Sequence, residues 1–215
     1  STGSTITVAG ANGAATTLPY DRLILASGSN GFSPPIPGLA EFGFAATQFD
    51  EAVKLDRHLH GLASKPSSPA RNTVVVGGAG FTGLEFATEM PARLREILGK
   101  DTPIRVIIVD RSEHVAAAMG HEPRPFIEAR LRGLGIETRL NVGVAALDVN
   151  SVTLSNGERI ETSTVIWSGG MRASPLTAQL PGERDNLGRI VVEPDLRVPG
   201  APRVFATGDT AKART

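Results

Sequence analysis

The chain contains no cysteine. That excludes structural disulfides, thiolate metal sites and a dithiol redox centre among these residues. Aromatic residues are scarce at 5%, with one Trp and one Tyr. No apolar run approaches the roughly 18–20 residues that a membrane span needs, and no signal peptide is visible. Net charge is lacking too, since Lys+Arg and Asp+Glu both total 22. The arginines are scattered, so the basic patch expected of a nucleic-acid-binding chain is missing. The four histidines have no metal-ligand spacing. His58 and His60 stand two apart on an expected helix and so face different ways, while His114 and His121 lie in polar stretches; all four are expected to be exposed. No Ser-centred nucleophile motif appears. A chain without acid–base machinery suits chemistry carried by bound cofactors and positioned by the protein.

What is plentiful is Gly (24) and Pro (15), with 40% apolar and 20% charged residues over 215 positions. This fits a soluble globular chain of one domain or two small ones, rich in short strands and tight loops. Thr5-Ile6-Thr7-Val8 alternates, Asn12-Gly13 is a good hairpin turn, and Leu23-Ile24-Leu25-Ala26 reads as a buried strand. Pro34-Pro35-Ile36-Pro37-Gly38 is expected to be an extended crossing between domains. Ala52, Leu55, Leu59 and Leu62 have the spacing of a helix over about 49–62. Residues 64–70 read as a loop. Further on, a helix is expected at 126–134, short strands around 136–147, a hairpin turning at Asn156-Gly157, and strands at 164–167, 190–192 and 203–206.

The best-defined unit runs from 73 to 110. A β-branched strand at 73–76 leads into a glycine loop and a helix expected at 84–98. A second apolar strand follows at 104–109. Two strands this apolar joined by a helix imply a parallel pair. Gly78-Ala79-Gly80-Phe81-Thr82-Gly83 matches G-x-G-x-x-G in the required strand–loop–helix context. The first glycine permits the tight turn, the second lets a pyrophosphate approach the backbone, and the third lets helix and strand pack closely. The helix N-terminus adds free N–H groups and the positive end of its dipole. The unit therefore points to a dinucleotide such as NAD(H). Asp110 ends the next strand, 27 residues after Gly83, where such folds place an acid for the adenosine ribose hydroxyls, usually after about 20. Its charge would oppose a 2′-phosphate and favour NADH over NADPH, although an arginine like the adjacent Arg111 can pair with one. Glu85, two residues past the last glycine, either serves the helix dipole or faces the nucleotide. Pro91, in Glu89-Met90-Pro91-Ala92, is expected to kink or end the helix at a cost of about 3 kcal/mol.

Residues 6–28 run hairpin, Asn-Gly, apolar strand, Ser-Gly, and residues 152–169 repeat that order. A glycine loop precedes the second copy and none precedes the first. The simplest explanation is two related nucleotide-binding units, the first lacking its front half; the alternative is a chance likeness of two β-meanders. Ser1 in place of Met, and an end at Thr215 just past Gly208-Asp209, mark both ends as expected cuts in a longer parent.

Four stretches in order carry a resemblance: Tyr20-Asp21-Arg22-Leu23-Ile24-Leu25-Ala26-Ser27-Gly28; the segment 74–85; Val165-Ile166-Trp167-Ser168-Gly169-Gly170; and Val204-Phe205-Ala206-Thr207-Gly208-Asp209. Together they resemble the two-dinucleotide-fold flavoproteins, the FAD-dependent pyridine nucleotide-disulfide oxidoreductases. Gly80-Phe81-Thr82-Gly83-Leu84-Glu85 and Trp167-Ser168-Gly169-Gly170-Met171-Arg172-Ala173-Ser174-Pro175-Leu176 are most similar to type II NADH dehydrogenases.

The resemblance implies an α/β fold. A Rossmann-like NAD(P)H-binding domain (38–170) would be inserted between two pieces of a partial FAD-binding domain (1–37 and 171–215), with β-meanders. It implies that Asp209 holds the FAD ribityl chain with Gly208 allowing close approach, and that Ala26, Ser27 and Gly28 lie along the FAD nucleotide. Ser27 departs from the more usual Thr but keeps the hydroxyl. Glu85 would sit near the nicotinamide end of NADH, and Gly169 and Gly170 would line the nicotinamide crossing. The implied activity is passage of hydride from NADH to flavin and on to a quinone-like acceptor. Two alternatives stand beside it: a flavoprotein disulfide, ferredoxin or peroxide reductase, and a non-catalytic NADH-binding module. A redox Cys pair of the disulfide reductases usually lies in the missing front segment, so only a dithiol within the NAD(P)H domain is excluded. The resemblance places the parent in the cytoplasm or peripherally on the cytoplasmic face of a membrane, and leaves open its assembly as a homodimer.

Overall fold

The computed structural model describes residues 4–11, 13–45 and 47–213. The chain divides into two compact units, one built from residues up to Asn30 and from Met171 onward, the other from Gly31–Gly170. The proline stretch at 34–37 thus lies with the larger unit.

The larger unit is organised by an all-parallel sheet of five strands in the order Gly43–Phe44, Thr164–Trp167, Thr73–Gly77, Arg105–Val109, Glu137–Arg139. The central strand Thr73–Gly77 is buried along its whole length, which explains its unbroken valine run: a parallel strand covered on both faces has no polar side. Side chains alternate between two cores. Val74, Val76, Val106, Ile108 and Ile166 face Leu55, Leu59, Ala87, Met90 and Leu94 of the helical layer. Val75, Ile107, Val109 and Val165 face Leu147, Val152, Leu154 and Ile160 of an antiparallel meander, Val144–Asp148, Ser151–Leu154 and Arg159–Glu161. Helices therefore cover one face and a meander the other, the α/β arrangement expected.

The helix Phe49–Gly61 begins with a capping box between Gln48 and Glu51 and buries Leu55 and Leu59, with Leu62 following in a 3₁₀ turn. The helix after the glycine loop spans Phe81–Leu98, starting three residues before the expected position. Gly83 sits in its first turn, where the close approach of helix and strand leaves no room for a side chain. Pro91 does not end this helix. Ala87, Met90, Pro91 and Leu94 are all buried, and that packing holds the helix together across the missing N–H.

The smaller unit holds the hairpin Thr5–Ala9 with Ala15–Pro19; its expected turn includes Asn12, which lies outside the described residues. A three-stranded sheet follows the order Arg197–Val198, Ala201–Ala206, Leu23–Leu25, the last two parallel. Ile190, Val192, Val198, Val204 and Ala206 form its core. Leu23–Leu25 is not buried as expected: Ile24 is 66% exposed, because the strand is last in its sheet and only Leu23 and Leu25 turn toward the core.

His60 and His121 are exposed as expected, whereas His58 and His114 are partly buried. His58 continues the stripe of Leu55, Leu59 and Leu62, stacks on Phe44 with ring centroids 4.3 Å apart, and pairs through Nε2 with the Thr164 hydroxyl at 2.8 Å. Burial pushes its pKa from the ordinary 6.5 down to about 4, the Lys65 charge adding to the shift and a Ser163 backbone hydrogen bond opposing it. The folded state therefore prefers neutral His58, so its contribution is complete above pH 6.5 and is lost as pH falls toward 4. Partial exposure of the ring screens its charge, and the expected loss is about 1–2 kcal/mol. Urea midpoints measured across that interval are expected to fall, and to fall less in His58→Gln; equal slopes in both proteins would contradict the assignment.

Candidate functional site

Because the five strands of the larger unit run parallel, their carboxyl ends meet along one edge, where open α/β sheets place ligands. Gly77 leads into the loop from the central strand, Asp110 follows Arg105–Val109, and Ser168, Gly169 and Gly170 follow Thr164–Trp167. A cleft of about 640 Å³ opens there, with Gly78, Asp110, Arg111, Gly143, Trp167, Gly169 and Gly170 among its walls. That volume lies within the ordinary range of ligand sites, roughly 300–1,000 Å³. Val109, Val142, Val144, Pro34 and Ile36 make much of the remainder apolar.

The glycine loop is shaped by what it cannot carry. Gly78 has φ of 114°, a conformation that L side chains rarely adopt. A Cβ on Gly83 would lie 1.9 Å from the Gly78 carbonyl oxygen, so the helix approaches the strand end only because Gly83 has no side chain. A Cβ on Gly80 would meet nothing within 4 Å; Gly80, Phe81 and Thr82 are exposed, whereas Ala79 and Gly83 are buried. The open side at Gly80 and the unpaired N–H groups of a first helical turn form a cradle suited to an anion.

The Asp110 carboxylate accepts from the Ala79 N–H at 2.6 Å and from the Ser112 N–H at 2.7 Å. It both lines the cleft and ties the loop to the neighbouring strand, and each oxygen retains lone-pair capacity for a ligand hydroxyl. Arg111 stands beside it on the wall, exposed. At the opposite end, the Gly170 carbonyl accepts from the Phe32 N–H at 2.9 Å. Trp167 donates its indole N–H to the Phe32 carbonyl at 3.1 Å and lies flush against Gly77 and Gly169, where an added Cβ would meet its ring at 2.7 and 2.9 Å.

Of the expected residues, Gly78, Asp110, Gly169 and Gly170 come together in this cleft. Glu85 does not line it; the side chain is exposed on the long helix and borders a shallow groove with Ala52, Phe86 and Glu89. In the smaller unit, parallel pairing of Leu23–Leu25 with Ala201–Ala206 brings Ala26, Ser27 and Gly28 beside Gly208 and Asp209. Thr207 N–H and the Thr210 hydroxyl both donate to the Leu25 carbonyl, at 3.1 and 2.9 Å, and the Ser29 hydroxyl donates to the Asp209 carboxylate at 2.6 Å. Sequence reasoning missed Ser29 and the Ser168 side chain. The Ser168 hydroxyl reaches the carbonyls of Gly77 and Gly78 at 3.0 and 3.3 Å. Both serines stood inside or beside quoted motifs, but their partners lie far away in the chain. Among the described residues no cluster of His, Asp or Glu could hold a metal ion, and no helix is long and apolar enough to cross a membrane.

A family model described as pyridine nucleotide-disulphide oxidoreductase matches residues 2–215. An NADH dehydrogenase-like protein of Mycobacterium tuberculosis is 51% identical over 197 residues, covering 91% of this chain and 49% of its own length. The type II NADH:quinone oxidoreductase Ndh of the same species is 35% identical, covering 90% of this chain and 46% of its own. Among solved structures, NDH2 from Plasmodium falciparum in complex with NADH superposes with a TM-score of 0.81 at 21% identity, covering 97% of this chain and 47% of that one. The chain spans about half the length of the curated relatives it matches.

Gly83→Ala must displace either the loop or the helix. The expected result is destabilisation of about 2 kcal/mol or more, with loss of any ligand held at the cleft. Gly133→Ala, near a helix end where an added Cβ meets nothing within 4 Å, is expected to be neutral or to stabilise by about 0.5 kcal/mol. Thermal unfolding of the two variants side by side checks this; similar effects would refute the close-approach argument.

Proposed function

Because this chain belongs to the pyridine nucleotide-disulphide oxidoreductase family, we propose that it is part of a flavoprotein that oxidises NADH and reduces a quinone-class acceptor. The observation that carries the reading is the convergence of Gly78, Asp110 and Gly170 on one cleft at the carboxyl edge of a parallel sheet. The names of relatives as type II NADH:quinone oxidoreductases support the acceptor class.

In this proposal residues 31–170 bind NADH. The loop from Gly78 to Gly83 receives the pyrophosphate: Gly80 leaves it room and the first helical turn offers N–H groups. Asp110 accepts from the adenosine ribose hydroxyls. Gly169 and Gly170, backed by Trp167, take the nicotinamide end; a Cβ on Gly169 would meet the Trp167 ring at 2.9 Å and Gly170 has φ of 96°. The smaller unit fits part of an FAD site, since Ser29 orients the Asp209 carboxylate at the edge shared with Ala26, Ser27, Gly28 and Gly208. FAD, when bound, supplies the two-electron redox chemistry. This chain's residues bind and orient, and no acid–base group is required of them. The assignment of Glu85 to the nicotinamide end rests on the resemblance alone. A quinone is lipid-soluble, so the whole protein is proposed to meet it at a membrane surface.

Calorimetric titration of the chain with NADH and NADPH tests the cleft. The Asp110 charge is expected to favour NADH about tenfold, or about 1.4 kcal/mol, and Asp110→Asn to reduce that ratio toward unity. Failure to bind either nucleotide would overturn the reading. The full-length protein with FAD is expected to oxidise NADH at the expense of an added quinone; reduction of disulfides but not quinones would point to another branch of the family.

A further inference from the structure

We infer that Ser168 and Asp110 act together as a clamp on the Gly78–Ala79 peptide group, fixing the loop in the shape that receives a pyrophosphate. This rests on the reading of the cleft as an NADH site. A trans peptide carries its C=O and N–H on opposite sides of one plane. Here the Gly78 carbonyl takes the longer arm, 3.3 Å, of a bifurcated hydrogen bond from the Ser168 hydroxyl, whose single proton it shares with Gly77 O, and the Ala79 N–H donates to Asp110 at 2.6 Å. The preceding peptide is held the same way. Gly77 O accepts from the Ser168 backbone N–H at 2.9 Å and from its hydroxyl at 3.0 Å, while Gly78 N–H donates to Val109 O at 2.9 Å.

The backbone ladder of the central strand ends at Gly77, which is in register with Trp167 on one side and Val109 on the other. Beyond that point the two side chains take over from the ladder, one supplied by each flanking strand. They fix a peptide next to a glycine at φ 114°, where the chain would otherwise sample many shapes. The Ser168 hydroxyl also fills the space beside the helix start, since a Cβ on Gly83 would come within 2.6 Å of it. Ser168 is thus a positioning residue, and Asp110 has a positioning role besides its place on the cleft wall.

The test uses ADP, which carries the pyrophosphate, adenosine, which carries no phosphate, and NADH. Ser168→Ala is expected to weaken ADP and NADH about tenfold by calorimetry, to leave adenosine binding followed by NMR unchanged, and to melt within a few degrees of the unaltered chain. Ser168→Thr, which keeps the hydroxyl, is expected to restore ADP binding. Asp110→Asn is expected to weaken ADP at least as much, because it loses the ribose contact as well. The double variant should be little worse than Asp110→Asn alone, since one released end already frees the peptide. Unchanged ADP affinity in Ser168→Ala, equal loss of adenosine and ADP, or multiplying effects in the double variant would overturn the clamp. If the unaltered chain bound neither ADP nor NADH, the nucleotide reading itself would fall and the clamp with it.

Discussion

Parallel pairing of Thr73–Gly77 with a strand on each side is the constraint from which the rest of the larger unit follows. A strand so placed must be apolar on both faces, and its alternating valines supply two cores at once. Because its neighbours run the same way, each must return through a connection long enough to cross the sheet. The long helix covers one face in doing so, and the meander closes the other. The same parallelism puts the loops after the central strand and its two neighbours at one edge. The cleft is therefore a result of strand direction more than of any single side chain.

The chemistry of that edge is carried mostly by backbone. Glycines at 78, 83 and 169 are there because neighbouring atoms leave no space for a Cβ or because φ demands it. The side chains that matter nearest to them, Ser168, Asp110 and Trp167, spend their hydrogen bonds on backbone groups. A site made of oriented peptide dipoles suits an anionic ligand recognised by shape, and it needs no titrating group at its centre.

Local features were legible in the sequence, and contacts between distant residues were not. The valine run, the glycine spacing and the acid at the next strand end each express a constraint within a few residues of itself, so strand, loop and Asp110 could be placed together. Ser168 with Gly78 and Ser29 with Asp209 join positions 90 and 180 residues apart, and nothing local marks them. His58 was readable but misread: it lies three residues after Leu55 and four before Leu62, on the face that the leucines bury. Pro91 and the helix start at Phe81 show tertiary packing overriding local preference. A buried turn tolerates a proline that an isolated helix would not, and a glycine suited to a loop fits a helix pressed against a strand.

Trp167 is the chain's single tryptophan, and it lies on the wall of the cleft, against Gly77 and Gly169. All indole emission from the molecule therefore originates at one known place on the wall of that cleft. Reduced nicotinamide absorbs where indole emits, whereas the oxidised ring does not. Energy transfer from this one side chain would thus distinguish the two redox forms of a dinucleotide in the cleft, giving the fold an optical reporter without any added label.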